Sequence, residues 1–527
     1  MSKRAAYICA ACALVALAAG AVWYRVRGRG APRISSFADA GRPARIEPDY
    51  AGTTIPPNIA PLNFVLSEPG RGYSVTVRST RGQPIEVSSC DGRIIIPEEP
   101  WRRLLDANRG EALFFEPRVR GEDGCWTRFQ ATVNTIARED IDGYLAYRLI
   151  TPIYNVWKDV GIYQRALGGF DESVVLHNSS FEGGCVNCHT FYRNTPAKML
   201  IDVRSGPSHR PPGGMVVVEE GGQSRVVDTK SEFNAIPAVY LAWHPSGEAV
   251  AFSSNKITQF FHSVGENREV FDHQSDLGLY RLAANTVTST PQISDPHRME
   301  TYPTWSPDGK FLYFCSAPQL SIRRHEQVKY DLMRIGYDLA TDTWGKAETI
   351  LSSDETQLSV TFPRVSPDGR YVLFCMCDYG CFSIYRPDSD LYLMDLESKQ
   401  YRRLDINSDR CESWHCWSSN GRWIVFSSKR RDGLLAKPYF SYFDESGKFH
   451  KPILLPQADP TFYDSFLKTY NVPEFITGPV AVSQRDLDKL LYSKDKQIKA
   501  LLDPRLKAGE FHGPGDKDAK YEPGPGG

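Results

Sequence analysis

Residues Cys185–His189 read CVNCH and place two thiols and an imidazole within five residues. In a C-x-x-C-H motif the two thiols can add to the vinyl groups of a haem, and the histidine can bind its iron. The chain has only 12 Cys and 11 His among 527 residues, so a chance match is expected far less than once. The sequence therefore predicts one covalent haem c, held by Cys185, Cys188 and His189, with His189 as the proximal iron ligand.

Three other chemistries use the same residue types. A zinc site needs two more ligands, and no second C-x-x-C pattern follows the motif in the chain to supply them. The candidates for these ligands would be Cys377, Cys381, Cys411 and Cys416. A thioredoxin-like dithiol opens a helix beside a βαβ unit, whereas this motif lies among strand patterns. A plain disulfide is the remaining alternative.

The elements that must position the motif belong to an internal repeat. Four segments share a strand, a turn and a second strand: LAWHPSGEAVAFSS from Leu241, PTWSPDGKFLYFCS from Pro303, PRVSPDGRYVLFCM from Pro363 and HCWSSNGRWIVFSS from His415. Their third positions are spaced by 62, 60 and 52 residues. Repeats of this kind predict a mainly β fold with a β-propeller of about six blades.

The motif can be aligned with this repeat. KMLIDV (198–203) matches AVAFSS (249–254), so CHTFYR takes the place of YLAWHP. This alignment predicts that Cys188 and His189 lie at the start of an innermost strand, at the mouth of the propeller channel. His244, in the WHPSG turn, is predicted to be structural, because two other repeats have serine there.

A second axial ligand for the iron has to come from elsewhere in the fold. His415 is the first candidate, because it lies two residues before Trp417 and is predicted at the channel mouth. Met376 is the second, at the end of the second strand of the preceding repeat. His177 and Met215 flank the motif more locally.

Several segments together resemble one subgroup of the TolB-like bacterial propellers. They are IPPNIAPLNF, YRLITPIY, GIYQR, CVNCHTF, YDLMRI, SDLYLMDLE and GRWIVFSSKRRDGL, and the resemblance covers about residues 48–482. That subgroup comprises exported proteins with a single c-type haem motif. The resemblance implies a propeller fold and export, and it implies little about activity.

The N-terminus is typical of an export signal or a membrane anchor. Lys3 and Arg4 precede an uncharged run from Ala5 to Tyr24, which is long enough to span a bilayer. Since c-type haem is attached outside the cytoplasm, we expect the body in the periplasm or cell envelope, anchored to the inner membrane by residues 1–30. Four arginines follow the run, against the positive-inside tendency, so a reversed anchor with a cytoplasmic body is the alternative.

The rest of the chain divides by composition. Residues 31–57 are rich in Pro and Gly and are predicted to be a linker, and residues 58–140 have the alternation of a small β-sandwich. Residues 141–180 are predicted to be a partly helical connector and residues 181–482 the propeller. Residues 483–527 are predicted to form an exposed amphipathic helix and a disordered tail.

Eight cysteines lie outside the anchor and the motif. In an exported protein these can be oxidised, and structural disulfides are the preferred interpretation over metal or redox roles. Cys90 and Cys125 are a candidate pair, because both fall in the predicted sandwich. The others are Cys315, Cys375, Cys377, Cys381, Cys411 and Cys416.

Composition and motifs restrict the function. A formal net charge of −1 gives no sign of a nucleic-acid binder. No nucleophile elbow, H-E-x-x-H or glycine-rich phosphate loop is present. We therefore predict electron transfer or redox-linked binding at the cell envelope, with a redox partner or envelope protein. The alternatives are a haem-dependent oxidoreductase with its substrate in the channel, and a TolB-type scaffold that binds envelope proteins.

Overall fold

The computed structural model describes residues 37–151, 159–206, 211–219, 224–231, 236–260 and 268–506, and it is mainly β. The predicted anchor, residues 1–30, lies outside the described residues. Within these ranges, no helix has both the length and the apolar character needed to cross a bilayer.

The N-terminal part contains ten strands and helix α1 (Glu98–Asp106). The strands are β1 (Ala38–Pro43), β2 (Ile46–Glu47), β3 (Thr54–Ile55), β4 (Phe64–Leu66), β5 (Gly72–Arg78), β6 (Ile85–Ser89), β7 (Arg93–Ile94), β8 (Ala112–Arg120), β9 (Trp126–Gln130) and β10 (Thr132–Ile136). One sheet contains β1, β3, β5, β6, β8, β9 and β10, and a second contains β2, β4 and β7. The segment predicted to be a linker thus supplies β1, β2 and β3, and β1 pairs with β9.

Twenty-seven further strands follow in the described chain, with three short helices. The strands are β11 (Tyr144–Ile150), β12 (Val160–Ala166), β13 (Glu172–His177), β14 (Cys185–Phe191), β15 (Met199–Arg204), β16 (Gly214–Val218), β17 (Arg225–Asp228), β18 (Val239–Trp243), β19 (Ala249–Phe260), β20 (Glu269–Arg281), β21 (Thr286–Thr288), β22 (Arg298–Trp305), β23 (Phe311–Pro318), β24 (Asp331–Asp338), β25 (Thr343–Trp344), β26 (Glu348–Leu351), β27 (Ser359–Val365), β28 (Tyr371–Cys377), β29 (Asp390–Asp395), β30 (Tyr401–Arg403), β31 (Glu412–Trp417), β32 (Trp423–Ser428), β33 (Lys437–Tyr442), β34 (Ile453–Leu454), β35 (Thr469–Ile476), β36 (Gln497–Lys499) and β37 (Leu501–Leu502). The helices are α2 (Ser353–Thr356), α3 (Phe462–Ser465) and α4 (Gln484–Tyr492).

These strands form six blades around a central channel. Blade 1 is β35, β11, β12 and β13 from the inside outwards; blade 2 is β14–β17, blade 3 is β18–β21, blade 4 is β22–β26, blade 5 is β27–β30 and blade 6 is β31–β34. The innermost strands β35, β14, β18, β22, β27 and β31 each contact the next and close a ring. The predicted propeller is confirmed, and the antiparallel pairing of β35 with β11 joins the two ends of the ring.

The turns that define the repeat end each innermost strand in the same way. In blade 4, the Asp308 carboxylate accepts hydrogen bonds from Ser306 Oγ at 2.6 Å and from the Lys310 amide at 3.1 Å. Gly309 follows with φ of +74°, a conformation that favours glycine. Ser-Pro-Asp-Gly in blades 4 and 5, and the related His-Pro-Ser-Gly and Ser-Ser-Asn-Gly in blades 3 and 6, fix where these inner hairpins turn. This is why the repeat could be found from the sequence.

Two predicted segments differ in the structure. Residues 141–180 are not a partly helical connector, because β11, β12 and β13 form three strands of blade 1. The segment after residue 483 is not simply exposed. Helix α4 buries Leu487, Leu490 and Leu491 against the apolar core of blades 1 and 2. Beyond it, β36 and β37 add in parallel to the outer edges of blades 2 and 3.

Candidate functional site

The CVNCH motif lies on β14, the innermost strand of blade 2, and its three chemically active side chains are buried. Cys185, Cys188 and His189 are 6%, 5% and 3% exposed. Burial raises the pKa of Cys185 to about 12 and also raises the pKa of Cys188. In the folded chain both sulfurs are therefore protonated thiols, which are poor nucleophiles.

His189 faces blade 1. It pairs with Ile201 on β15, and Ile201 and Phe191 pack against Ala146 and Ile162 of blade 1. Neither ring nitrogen has a hydrogen-bond partner in the described part of the chain. Burial, with the charge of Arg148, lowers the pKa of His189 to about 3, so the imidazole is neutral and keeps a lone pair that can bind a metal.

The two thiols lie on the opposite face of β14. The strand pairing slips between Val186 and His189, where Asn187 and Cys188 stand opposite one residue of β15 in a β-bulge. Val186 and His189 consequently share a face. Because side chains alternate on either side of the bulge, Cys185 and Cys188 point the other way. Cys188 lines a cavity of about 70 Å³ together with Tyr240 and Trp414.

These residues fit a c-type haem by chemistry and not by conformation. Two thiols and an imidazole with unpartnered nitrogens form the right donor set. However, this strand directs the thiols and the imidazole to opposite faces, and sites for small organic molecules usually have at least roughly 300 Å³. All three groups can meet one haem only if the backbone of Cys185–His189 takes a different conformation.

A polar network supports the bulge. Arg148 on β11 donates from Nη1 to Asn187 Oδ1 at 2.6 Å, and Asn187 Nδ2 donates to Asp202 Oδ2 at 2.8 Å. Asp202 is fully buried, its Oδ1 has no partner in the described part of the chain, and burial raises its pKa. Sequence reasoning missed Arg148 and Asp202, because they are isolated charges on other strands and only the fold brings them to the motif.

A cluster of aromatic rings fills the channel beside Cys188. Tyr240, Tyr302, Phe362 and Trp414 come from the same strand position in blades 3 to 6, and all have positive φ, from +46° to +55°. The ring centroids of Tyr240 and Tyr302 are 4.5 Å apart, as are those of Phe362 and Trp414. Side chains this large adopt positive φ only where their surroundings hold them there. In the aligned repeats Cys188 takes this position in blade 2. We call these four residues the aromatic plug.

The aromatic plug divides the channel. On the Cys188 side is the cavity of about 70 Å³. On the side of the inner turns is a chamber of about 470 Å³, which we call the turn-side chamber. Its lining includes Thr190, Trp243, Trp305, Arg364, Trp417 and Glu474.

His415, the first candidate for the second axial ligand, contacts the neighbouring blade 5. Its Nε2 donates to the Leu373 carbonyl at 2.9 Å, and its Nδ1 lies 3.6 Å from Cys375 Sγ. Both partners are on β28 of blade 5. His415 and His189 are equivalent positions of the repeat, and each faces the blade before its own. In the folded chain His415 is therefore held against blade 5, and its role as the second axial ligand stays a prediction.

The other candidates lie in different surroundings. Met376 belongs to the apolar cluster that contains Tyr302 and Trp414 of the aromatic plug. His177 contacts Asp159 at 3.0 Å, and Met215 is buried in the core of blades 2 and 3. His244 bonds with Ser246 Oγ at 2.9 Å and with the Gly309 carbonyl at 3.1 Å, which is a structural role.

None of the ten cysteines in the described ranges is in a disulfide. Cys90 follows β6 and Cys125 precedes β9, and strands β5 and β8 lie between these two. Three strand spacings amount to about 14 Å, twice the Cα separation that a disulfide allows. The predicted Cys90–Cys125 pair is therefore wrong. Within the same ranges, no group of three or more His, Cys, Asp or Glu is placed to hold a metal ion.

No protein-family model and no curated protein matches the chain. Among solved structures, the Dos1 propeller matches at 14% identity and a TM-score of 0.26, covering 44% of this chain and 64% of that one. The β-propeller domain of Myceliophteria thermophila Cps50 (Swd1) matches at 12% identity and a TM-score of 0.31, covering 50% and 66%. Prolyl oligopeptidase B from Galerina marginata matches at 10% identity and a TM-score of 0.32, covering 59% and 44%. The chain thus spans at most about two thirds of these three chains.

Proposed function

We propose that this protein is an exported β-propeller that carries one covalent haem c on Cys185 and Cys188, with His189 as the proximal iron ligand. Its role would be electron transfer or redox-linked binding at the cell envelope, with a redox partner or an envelope protein. The observation that supports this most is the buried His189 imidazole, which has no partner in the described chain and directly follows two unpaired thiols. When bound, the haem would supply a reversible one-electron couple.

The burial of the thiols implies an order of events for this proposal. A thiol must ionise to act as a nucleophile, and burial opposes ionisation of both cysteines. The β-bulge also turns Cys185 and Cys188 away from the His189 face. Attachment therefore precedes the closing of blade 2, while Cys185–His189 is still free to place its three side chains on one side.

The test is production in a host with a cytochrome c maturation system, followed by haem staining of a denaturing gel. We expect wild type to stain and Cys185→Ala and Cys188→Ala each to lose the stain. Cys315→Ala is the matched control, because Cys315 is equally buried but lies on β23, away from the motif. Wild type without stain in that host contradicts the proposal. Haem added to folded protein should not attach, since the thiols are then enclosed.

A second candidate is an oxidoreductase with its substrate in the channel, and the turn-side chamber supports it because Thr190 of the lining directly follows His189. A cavity of about 470 Å³ falls within the range of small-molecule sites. Carbon monoxide separates the two functions in the haem-loaded protein. An iron with two firmly held axial ligands does not bind it and acts in electron transfer, whereas ready binding indicates an open position and favours the oxidoreductase.

A further inference from the structure

The wall of the turn-side chamber contains a half-buried cation that has no ion-pair partner among the described residues. The guanidinium of Arg364, on β27, lies 3.9 Å from the ring centroid of Phe362 and donates one hydrogen bond, to the neighbouring Pro363 carbonyl at 3.0 Å. Among the described residues it forms no ion pair, and Glu474 acts on it by charge without ion-pair contact. A charge that is partly withdrawn from water and has no counter-ion is available to bind an anion.

The sequence singles out the same residue. At this position the aligned repeats have Ala242, Thr304 and Cys416, which are small or uncharged. All three also line the chamber, so the position projects into it in successive blades. An arginine here is not required by the repeat and puts a charge in the chamber wall.

The remaining charge in the lining does not neutralise Arg364. Arg193 is a second cation of the lining, and Glu474 is its one carboxyl group among the described residues. Glu474 already accepts hydrogen bonds from the Phe191 amide at 2.9 Å and from Thr190 Oγ1 at 3.1 Å. Burial raises the pKa of Glu474 to about 7, so near neutral pH it carries only part of a negative charge.

Aromatic surface surrounds this charge. Trp243, Trp305 and Trp417 contribute to the wall, and Phe362 and Trp414 of the aromatic plug form the floor. The indole N–H groups of Trp243, Trp305 and Trp414 have no acceptor in the described part of the chain. Flat indole faces favour a ring, and a guanidinium favours a carboxylate, which it can hold with two parallel hydrogen bonds.

We propose that the turn-side chamber binds a small organic acid, a ring-bearing molecule whose carboxylate pairs with Arg364. This goes beyond the haem proposal and does not depend on it, since the aromatic plug separates the chamber from Cys188. Carboxylates on aromatic rings and on sugar rings share this chemistry, and the choice of probes distinguishes them.

The test is calorimetric titration of the purified protein with benzoate, glucuronate, benzamide and inorganic phosphate. We expect saturable binding of benzoate, glucuronate or both, and binding of benzamide weaker by about 10-fold or more, because it lacks the charge. Arg364→Gln should weaken carboxylate binding by about 10-fold or more. Arg403→Gln, a matched change on the outer strand of blade 5 where Arg403 pairs with Asp390, should not.

Arg364→Lys keeps the charge and removes the planar fork, so we expect affinity between that of wild type and that of Arg364→Gln. If Arg364→Gln does not fold, the affinity of Arg364→Lys for the carboxylates is the test of the proposal. The proposal is overturned if wild type binds neither carboxylate, if benzamide binds as well as benzoate, or if both Arg364 variants bind like wild type. Binding of phosphate without either carboxylate overturns it as well.

Discussion

Replacing Glu474 by glutamine should remove a pH dependence of the free energy of unfolding that arises from the Glu474 carboxyl in blade 1. Burial raises the pKa of the Glu474 carboxyl from its usual 4.5 to about 7, against the opposing hydrogen bond from the Phe191 amide and the charge of Arg364. The folded chain therefore keeps a proton that the unfolded chain releases near pH 4.5. Between these two pKa values the unfolded state binds fewer protons, so the free energy of unfolding falls as the pH rises.

The size of the effect follows from the two pKa values. A pKa difference of about 2.5 units changes the free energy of unfolding by about 3 kcal/mol over the whole titration. About 2 to 3 kcal/mol of this change occurs between pH 5 and pH 8. Glutamine keeps the oxygen that accepts from Phe191 and Thr190 but does not ionise. Wild type and Glu474→Gln should thus be similarly stable near pH 5, and wild type should be less stable by about 2 to 3 kcal/mol at pH 8.

Denaturant unfolding at several pH values between 5 and 8, followed by tryptophan fluorescence and circular dichroism, measures this difference. Glu397→Gln is the matched control, because Glu397 is exposed in a turn of blade 5. The free energy of unfolding of this variant should change with pH in the same way as that of wild type. A difference between wild type and Glu474→Gln that stays constant within about 0.5 kcal/mol over the range would refute the reasoning. It would mean that the carboxyl is solvated in the folded chain.

Two further outcomes are expected. His415→Asn should leave the spectrum of the haem-loaded protein unchanged. It should lower the free energy of unfolding by about 1 to 3 kcal/mol, because the His415 ring bonds to Leu373 in blade 5. A change to a high-spin spectrum would instead make His415 an iron ligand, and Met376→Ala is the variant for comparison. A compartment-specific reporter fused after residue 45 should be active only in the exported compartment. Activity in the cytoplasm would show that the anchor is reversed and would remove the route to haem attachment.

The sequence predicted most of the propeller because its turns are local. The glycine-ending turns and the flanking strands carry their signal within about 15 residues, so blades 3 to 6 could be recognised one by one. Blade 1 could not, because its innermost strand β35 comes from the far end of the chain. Without that partner the segment Tyr144–Ile150 looks like an apolar run. It is buried along both faces and shows no alternation.

The sequence predicted which residues form the motif, but not which face of β14 each side chain occupies. The alignment placed Cys188 and His189 correctly on an innermost strand. Simple alternation would put Cys185 and His189 on one face of β14 and Cys188 on the other. The bulge at Asn187 and Cys188 reverses this and groups the two cysteines. A single extra residue in a strand leaves no periodic signal in the sequence.

The aromatic plug determines how the two proposed sites relate. Tyr302 and Trp414 both have positive φ. The Tyr302 hydroxyl also donates to the Cys381 carbonyl at 2.8 Å, and the Trp414 ring packs against Phe362 with centroids 4.5 Å apart. A group attached to Cys188 would first meet Tyr240 and Trp414, while a ligand beside Arg364 would rest on Phe362 and Trp414. Trp414 borders both spaces. Thr190 and Phe191 of the chamber lining also directly follow His189 on β14. Binding in the chamber can therefore influence the motif by moving the Trp414 ring or through β14 itself.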